Sequence, residues 1–127
     1  MMLANSPVIA QLPAVDLDRA VKFYEEKLGL KAVMDFPGGK VFGAGEGTAI
    51  AVYTRGATKA DHTVAAFRVA DLEAEVKALT AKGVQFEQYN MPEYGLTTNS
   101  LGIAENDGGK LAWFKDSEGN ILGLTQV

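Results

Sequence analysis

A segment of this 127-residue chain occurs twice, and this duplication constrains the fold more than any other feature of the sequence. The first copy is VDLDRAVKFYEEKLG at residues 15–29, and the second is ADLEAEVKALTAKG at residues 70–83. A shorter echo follows each copy, because the GGK of residues 38–40 recurs at residues 108–110. The sequence therefore predicts two copies of one structural unit.

Both copies have the pattern of an amphipathic helix. Asp16 and Asp71 are suited to accept hydrogen bonds from the free amides of a first helical turn. Gly29 and Gly83 can adopt the left-handed conformation that ends a helix. The apolar residues that share one face of each helix are Leu17, Ala20, Val21, Tyr24 and Leu28 in the first copy and Leu72, Val76 and Leu79 in the second. We expect both helices to pack on a sheet and to carry no chemistry.

Short apolar segments around the helices predict strands in the order β-α-β-β-β, twice. In the first unit, about residues 7–55, the predicted strands are residues 8–12, 30–36, 40–45 and 48–54. In the second unit, about residues 62–127, they are residues 62–69, 84–88, 110–115 and 120–126. Since no linker or low-complexity tract separates the units, we predict one α+β domain over residues 1–127.

Residues 89–107 are predicted to be irregular, because they have no clear period and contain Pro92, Gly95 and Gly102. A compact domain keeps few such long segments, and those it keeps are often functional. The sequence leaves three alternatives open for this segment: a lid over a binding site, an exposed loop, or a contact with a second subunit.

Composition excludes several classes of function. The formal net charge of −4 argues against nucleic acid and anionic membrane surfaces, which require a basic patch. The absence of cysteine excludes disulfides, thiolate metal sites and cysteine nucleophiles. The opening MMLANSPVIA lacks the basic flank and long apolar core of a signal peptide, and no apolar run approaches the ~20 residues of a membrane span. We therefore expect a cytoplasmic protein.

Three phrases give the chain a family resemblance: LPAVDLDRAVKFYEEKLGL (residues 12–30), FRVADLEAEVKALTAKGV (67–84) and WFKDSEGNILGL (113–124). With its paired β-α-β-β-β units, the chain resembles the vicinal oxygen chelate superfamily of glyoxalases, extradiol dioxygenases and fosfomycin- and bleomycin-resistance proteins. The family form of the third phrase is close to F-x-D-P-D-G-N, and Ser117 here replaces the proline. The resemblance implies strands curled into a cup with the helices outside. It does not specify a reaction, because one fold hosts many.

The resemblance also implies four metal-ligand positions, on the first and last strand of each unit. In this chain they are occupied by Ile9, Ala51, Val64 and Gly123. None offers the nitrogen or oxygen atoms that a divalent ion requires. We therefore predict that the superfamily's metal site is absent and that no metal or other cofactor is held. His62 is the only histidine, and a solvated or hydrogen-bonded role suits it better than metal ligation.

Strand parity predicts which side chains line the cup. The inner face is expected to carry small residues and a few polar groups, which is typical of a small-molecule site. The predicted ligand-binding residues are Gln11, Tyr53, His62, Arg68, Trp113 and Lys115.

Each of these residues has a plainer alternative. Trp113 could stack on a planar or cationic ligand, or fill the space that the metal vacated. Arg68 could bind a ligand carboxylate, or form an ion pair with one of the 16 acidic residues. Tyr53 could offer its hydroxyl to a ligand, or only line the wall.

No nucleophile or phosphate-binding motif is present, so no catalytic residue is assigned. The leading hypothesis is a metal-free small-molecule-binding protein similar to the bleomycin-resistance proteins, which are dimers that sequester a bulky cationic drug between subunits. We accordingly expect a homodimer with a small-molecule ligand as its partner. One alternative is a lyase, isomerase or dioxygenase-like enzyme acting on a small oxygenated substrate. A second is a regulatory or structural partner protein whose cup is filled by its own side chains.

Overall fold

A computed structural model describes residues 3–106 and 108–127. It divides the chain into two compact units, Met1–Thr58 and Lys59–Val127. Within the described residues, no helix combines the length and the apolar character needed to span a membrane.

The first unit is a four-stranded mixed sheet with one helix. Its main elements are β1 (Ala10–Ala14), α1 (Leu17–Lys22), β2 (Lys31–Phe36), β3 (Gly39–Gly43) and β4 (Ala49–Thr54), with short helices at Leu3–Asn5 and Gly45–Gly47. The strand order is β1-β4-β3-β2, in which β1 runs parallel to β4 and the other pairs are antiparallel.

The predicted first helix forms, but its last turn widens. Asp16 accepts a hydrogen bond from the Arg19 amide at 3.1 Å, and α1 continues at Phe23–Lys27 as a π-helical turn. The ring of Tyr24 is fully buried and stacks on Phe42 of β3, with 5.5 Å between ring centroids. The helix and the apolar face of the sheet thus share one core, as the stripe of apolar residues predicts.

The second unit repeats this architecture. Its elements are β5 (Thr63–Arg68), α2 (Leu72–Ala81), β6 (Asn90–Met91), β7 (Leu96–Thr97), β8 (Ile103–Asn106), β9 (Gly109–Lys115) and β10 (Ile121–Gln126), with a short helix at Pro92–Tyr94. The strand order β5-β10-β9-β8, with β5 parallel to β10, matches that of the first unit. The predicted α+β class and duplicated β-α-β-β-β units are therefore confirmed.

One strand of the second unit is not where the sequence predicts it. Residues 84–88 do not form a sheet strand and contribute only a single bridge, between Phe86 and Phe114. The edge position belongs to β8, which lies inside the segment 89–107. Asn99 makes this possible, since its Oδ1 accepts from the Leu101 and Ile103 amides at 2.9 and 3.0 Å and so turns the chain into β8.

Most of the segment predicted to be irregular is therefore ordered. Residues 89–98 form a small hairpin in which β6 pairs with β7, and Thr98 bonds the backbone of Tyr89. Position 107 lies outside the described residues. The prediction of an irregular segment is wrong because hydrogen bonds from side chains support the local structure here. Apolar periodicity, on which the prediction was based, does not reveal such bonds.

The amino-terminal end of α2 is capped twice. Asp71 accepts from the Ala74 amide at 3.1 Å, as predicted, and the Oε1 atom of Gln126 accepts from the Leu72 amide at 2.7 Å. The second bond joins the end of β10 to the start of α2 and could not be predicted from local sequence.

Replacing Gln126 with alanine is expected to lower the free energy of unfolding by about 1 kcal/mol, because the Leu72 amide loses its acceptor. Gln126→Glu keeps an acceptor oxygen at a helix N-terminus and is the matched control, expected to remain near the parent stability. Urea denaturation of the three proteins provides the comparison. Equal losses in both variants would contradict the capping role.

Candidate functional site

The sheet of the second unit has one face packed on α2 and an opposite face on which no helix among the described residues of this unit packs. Leu122 and Phe114 are fully buried on the side where α2 packs on β9 and β10. The strand register shows which residues lie on the opposite face, called the helix-free face below. Its residues are Thr63, Ala66 and Arg68 on β5, Ile121, Gly123 and Thr125 on β10, Gly109, Leu111, Trp113 and Lys115 on β9, and Ala104 and Asn106 on β8.

Trp113 lies near the middle of this helix-free face and is half-buried. It stands opposite Gly123, which in turn stands opposite Ala66. A methyl group added to Gly123 would lie 3.5 Å from the Ala66 Cβ and 3.6 Å from the Trp113 Cδ1. On the β10 side the indole therefore borders Gly123, which has no side chain, with the small Ala66 on the strand beyond it.

The predicted parity of β5 is wrong at its first residues. A β-bulge lies between the pairs Thr63–Ile121 and Ala65–Leu122, so the extra residue Val64 shifts the alternation. Thr63, and not Val64, shares the face of Gly123, with its Cγ2 atom 3.3 Å from the position of a Gly123 Cβ.

His62 does not lie in a strand. It precedes β5, its side chain is 72% exposed, and its Nδ1 atom lies 3.6 Å from the Asp61 carboxylate. The parity argument that placed His62 on the inner face therefore fails, because the bulge interrupts it.

Tyr89 contacts Trp113 and was not predicted. The two rings meet edge to face, with 5.3 Å between centroids and an interplanar angle of 69°. The Glu87 amide donates to the Trp113 carbonyl at 2.8 Å, which ties this segment to β9. Thr98 then holds the Tyr89 backbone, with its Oγ1 accepting from the Tyr89 amide at 2.8 Å. The indole is thus supported by a fixed second ring.

The charged side chains of the helix-free face are both cationic. Arg68 is exposed, and no carboxylate among the described residues forms an ion pair with it, so the surface ion pair considered from the sequence is not found there. The Nζ atom of Lys115 lies 3.8 Å from the Glu87 carboxylate, with both side chains partly exposed. At this separation and exposure the Lys115–Glu87 pair is weak.

The two predicted site residues of the first unit share a face of its own sheet. Gln11 is exposed and stands opposite Ala51, while the half-buried Tyr53 lies two positions further along β4. Tyr53 also stands opposite Gly39, where the ring of Phe36 occupies the space that a Cβ would take. The two predicted residues are therefore neighbours, and Phe36 adds an aromatic group that parity alone did not indicate.

The four metal-ligand positions that the resemblance implies, Ile9, Ala51, Val64 and Gly123, carry no donor atom. The bulge puts Thr63 in place of Val64 on the face of Gly123, and its single hydroxyl does not supply the donor set of a metal site. Elsewhere, residues 3–106 and 108–127 contain no cluster of three acidic or histidine side chains with the geometry of a metal site.

Burial gives Tyr89 a measurable signature. Desolvation raises the pKa of its phenol, and the nearby Glu87 carboxylate raises the pKa further. Because the Tyr89 pKa is higher in the folded state, the protonated phenol stabilises the fold. This contribution is fully present below the unfolded pKa of about 10 and is lost as the pH rises above that value.

As the pH rises above about 10, the parent protein is therefore expected to lose stability more steeply than Tyr89→Phe does, because phenylalanine cannot ionise. Chemical denaturation at pH values across this window measures the effect. Tyr94→Phe is the control, since the Tyr94 side chain is exposed. A difference between the parent and Tyr89→Phe that does not change with pH would contradict the assignment.

The comparison with known families is decisive for the fold. Residues 7–124 match the model of the Glyoxalase/Bleomycin resistance protein/Dioxygenase superfamily. The chain belongs to this superfamily. No curated protein sequence matches it.

Solved structures that are similar to this superfamily member carry names that describe different functions. TnmS3, an antibiotic-binding protein from Streptomyces sp. CB03234, has a TM-score of 0.73 and 22% identity over 99% of this chain and 98% of that one. A lactoylglutathione lyase from Agrobacterium tumefaciens has a TM-score of 0.69 and 19% identity, covering 96% and 93%. The oxidase ChaP-H2 has a TM-score of 0.68 and 21% identity, also covering 96% and 93%. At these identities the likeness shows the fold alone.

The superfamily phrase near the carboxyl end has a structural role. The Asp116 carboxylate accepts from the Glu118 amide, the Asn120 amide and the Asn120 Nδ2 atom at 2.8, 2.9 and 2.8 Å. Gly119 completes the turn at a φ of 90°, which favours glycine. These residues therefore build the β9–β10 turn next to the candidate site. Since none of the bonds described involves residue 117, the turn forms with Ser117 in place of the proline.

Proposed function

We propose that this protein binds a small organic ligand without a metal ion, and that Trp113 is the centre of its binding site. Arg68 and Lys115 complete the site in the second unit. Gln11 and Tyr53 are the corresponding candidates in the first unit, and His62 stays a prediction from the sequence alone. A homodimer, expected from the family resemblance, is part of this proposal.

One observation carries the proposal, the half-buried indole of Trp113 on a sheet face that no helix covers. An aromatic ring held by a second ring and bordered by small side chains is well suited to contact a planar ligand. The donor-free metal positions Ile9, Ala51, Val64 and Gly123 support binding without a metal. The name of the neighbouring structure TnmS3, an antibiotic-binding protein, is compatible with it.

Catalysis is the second candidate function, and the names of the lyase and the oxidase favour it. An enzyme on this chain would act without ligands at the four family metal positions. Turnover of an oxygenated substrate that depends on an added divalent ion would support the enzyme and contradict the metal-free proposal.

The chain is suited to a direct test, because Trp113 is its only tryptophan. A screen of metabolites and drugs by thermal shift should give ligands that raise the melting temperature equally with EDTA and with added divalent ions. The same ligands should change the tryptophan emission. Trp113→Phe keeps an aromatic ring and controls for folding, whereas Trp113→Ala should lose the thermal shift. Ligands that raise the melting temperature without affecting Trp113 emission would place the site elsewhere.

A further inference from the structure

We infer that the ligand is a planar aromatic compound that carries an acidic group, a carboxylate or an ionised phenol. This inference rests on the proposed function and names the class of ligand that the same site selects. It follows from three features of the helix-free face, namely the indole, the absence of acidic residues and the position of two cations.

The indole requires a flat partner. Trp113 is held in place because Tyr89 meets it edge to face and because its carbonyl accepts from the Glu87 amide. The small residues Gly123 and Ala66 lie beside it on the next two strands. A flat ring system placed against the indole on this side would therefore meet no bulky side chain at these two positions.

The charge of the face favours an anion. None of the positions that the register assigns to this face is acidic, and its charged residues are Arg68 and Lys115. The Glu87 carboxylate lies beside this face, 3.8 Å from the Lys115 Nζ atom. The net charge of −4 therefore describes the chain as a whole and does not describe this face.

Arg68 is in position to reach the edge of a stacked ligand. It stands opposite Thr125, two residues beyond the pair Ala66–Gly123, and Trp113 lies two strands away. Strand spacing and rise place the two Cα atoms roughly 12 Å apart. A ring system on the indole, with its acidic group directed toward β5, would be met by the long Arg68 side chain. Because no described carboxylate forms an ion pair with Arg68, its guanidinium can bind a ligand carboxylate with two parallel hydrogen bonds.

Lys115 lies at the opposite end of the indole. It is two residues from Trp113 along β9, about 7 Å away, and faces the Ile121 end of the site. Its weak pairing with Glu87 leaves it able to attract a second acidic group or the developing charge of a phenol. The two cations thus flank the aromatic platform on a diagonal.

The test uses three matched probes: 2-naphthoic acid, the uncharged 2-naphthamide and the cationic 2-naphthylmethylamine, each titrated calorimetrically into the full-length protein at low and high salt. The naphthoate should bind about three- to fivefold more tightly than the amide, as an exposed ion pair allows, and this advantage should shrink in high salt. Arg68→Gln should abolish the advantage, so that this variant binds the naphthoate and the amide equally. Arg55→Gln removes an exposed arginine from the other unit and should change nothing.

The outcomes separate this inference from the proposed function. Equal binding of the amide and the naphthoate, or tighter binding of the amine, would overturn the acidic ligand while leaving an aromatic binding site. Binding of none of the probes, together with a failed screen for Trp113 ligands, would overturn the proposed function itself. An advantage of the naphthoate that survives Arg68→Gln and is lost in Arg55→Gln would place the anion site on the first unit and overturn the inference.

Discussion

Replacing Phe114 with alanine is expected to lower the free energy of unfolding by about 3–5 kcal/mol, the range for removing a large buried aromatic side chain. Phe114 is fully buried on the helix side of β9, and its ring meets that of Phe86 at 5.4 Å between centroids. No solvent reaches the site, so the cavity would be filled only by movement of the surrounding side chains. Equilibrium denaturation in urea measures the loss.

The neighbouring residue provides the matched control. Trp113 lies next to Phe114 in sequence but on the opposite face, and Trp113→Phe is expected to cost less than about 1.5 kcal/mol because it largely keeps the aromatic volume. If Phe114→Ala does not fold, Phe114→Leu offers a milder change expected to cost about 1 kcal/mol. A larger loss for Trp113→Phe than for Phe114→Ala would show that the assignment of the two faces is inverted.

The second large effect is expected at the β9–β10 turn. Asp116→Ala should lower the free energy of unfolding by about 3 kcal/mol, because buried donors that lose a charged acceptor each carry a substantial penalty. Asp116 is only 6% exposed, and its carboxylate accepts hydrogen bonds from the Glu118 and Asn120 backbone amides and from the Asn120 side chain. Thermal and urea denaturation of the variant measure the effect.

Asp71→Ala is the appropriate control for Asp116, because it also removes a carboxylate that accepts from a backbone amide. That helix cap is exposed and accepts a single bond from the Ala74 amide, so its loss should cost about 1 kcal/mol. Similar losses at the two positions would mean that the buried turn contributes no more than an ordinary cap. Ligand binding at Trp113 should also weaken in Asp116→Ala, since the turn joins the two strands beside it.

The architecture could be predicted because it depends on sequence patterns that are local. The helix caps Asp16 and Asp71 and the apolar stripe that includes Tyr24 act within a few residues of sequence, and the structure shows each in the expected role. The face on which Trp113 lies could be predicted for the same reason. Alternation along β9 correctly separates Trp113 from Phe114, since neighbouring residues of a strand face opposite sides.

The remaining features depend on contacts between distant residues. The sequence of residues 84–88 is as apolar as an edge strand, yet β8 takes that position because Asn99 turns the chain and Gly102 adopts a φ of +87°. Val64 is bulged only because of how β5 pairs with β10. Tyr89 was missed as a partner of Trp113 because nothing in its own neighbourhood of sequence indicates the contact.

The sequence by itself determined the duplicated unit, the two helices and the face on which Trp113 lies. These follow from residue type and short-range periodicity, which act before any long-range contact forms. Only the tertiary structure decided which segment borders the second sheet, where β5 changes parity and what surrounds the indole. Strand pairing and side-chain packing join residues far apart in the chain, and the free energies of those contacts are not encoded in any one segment.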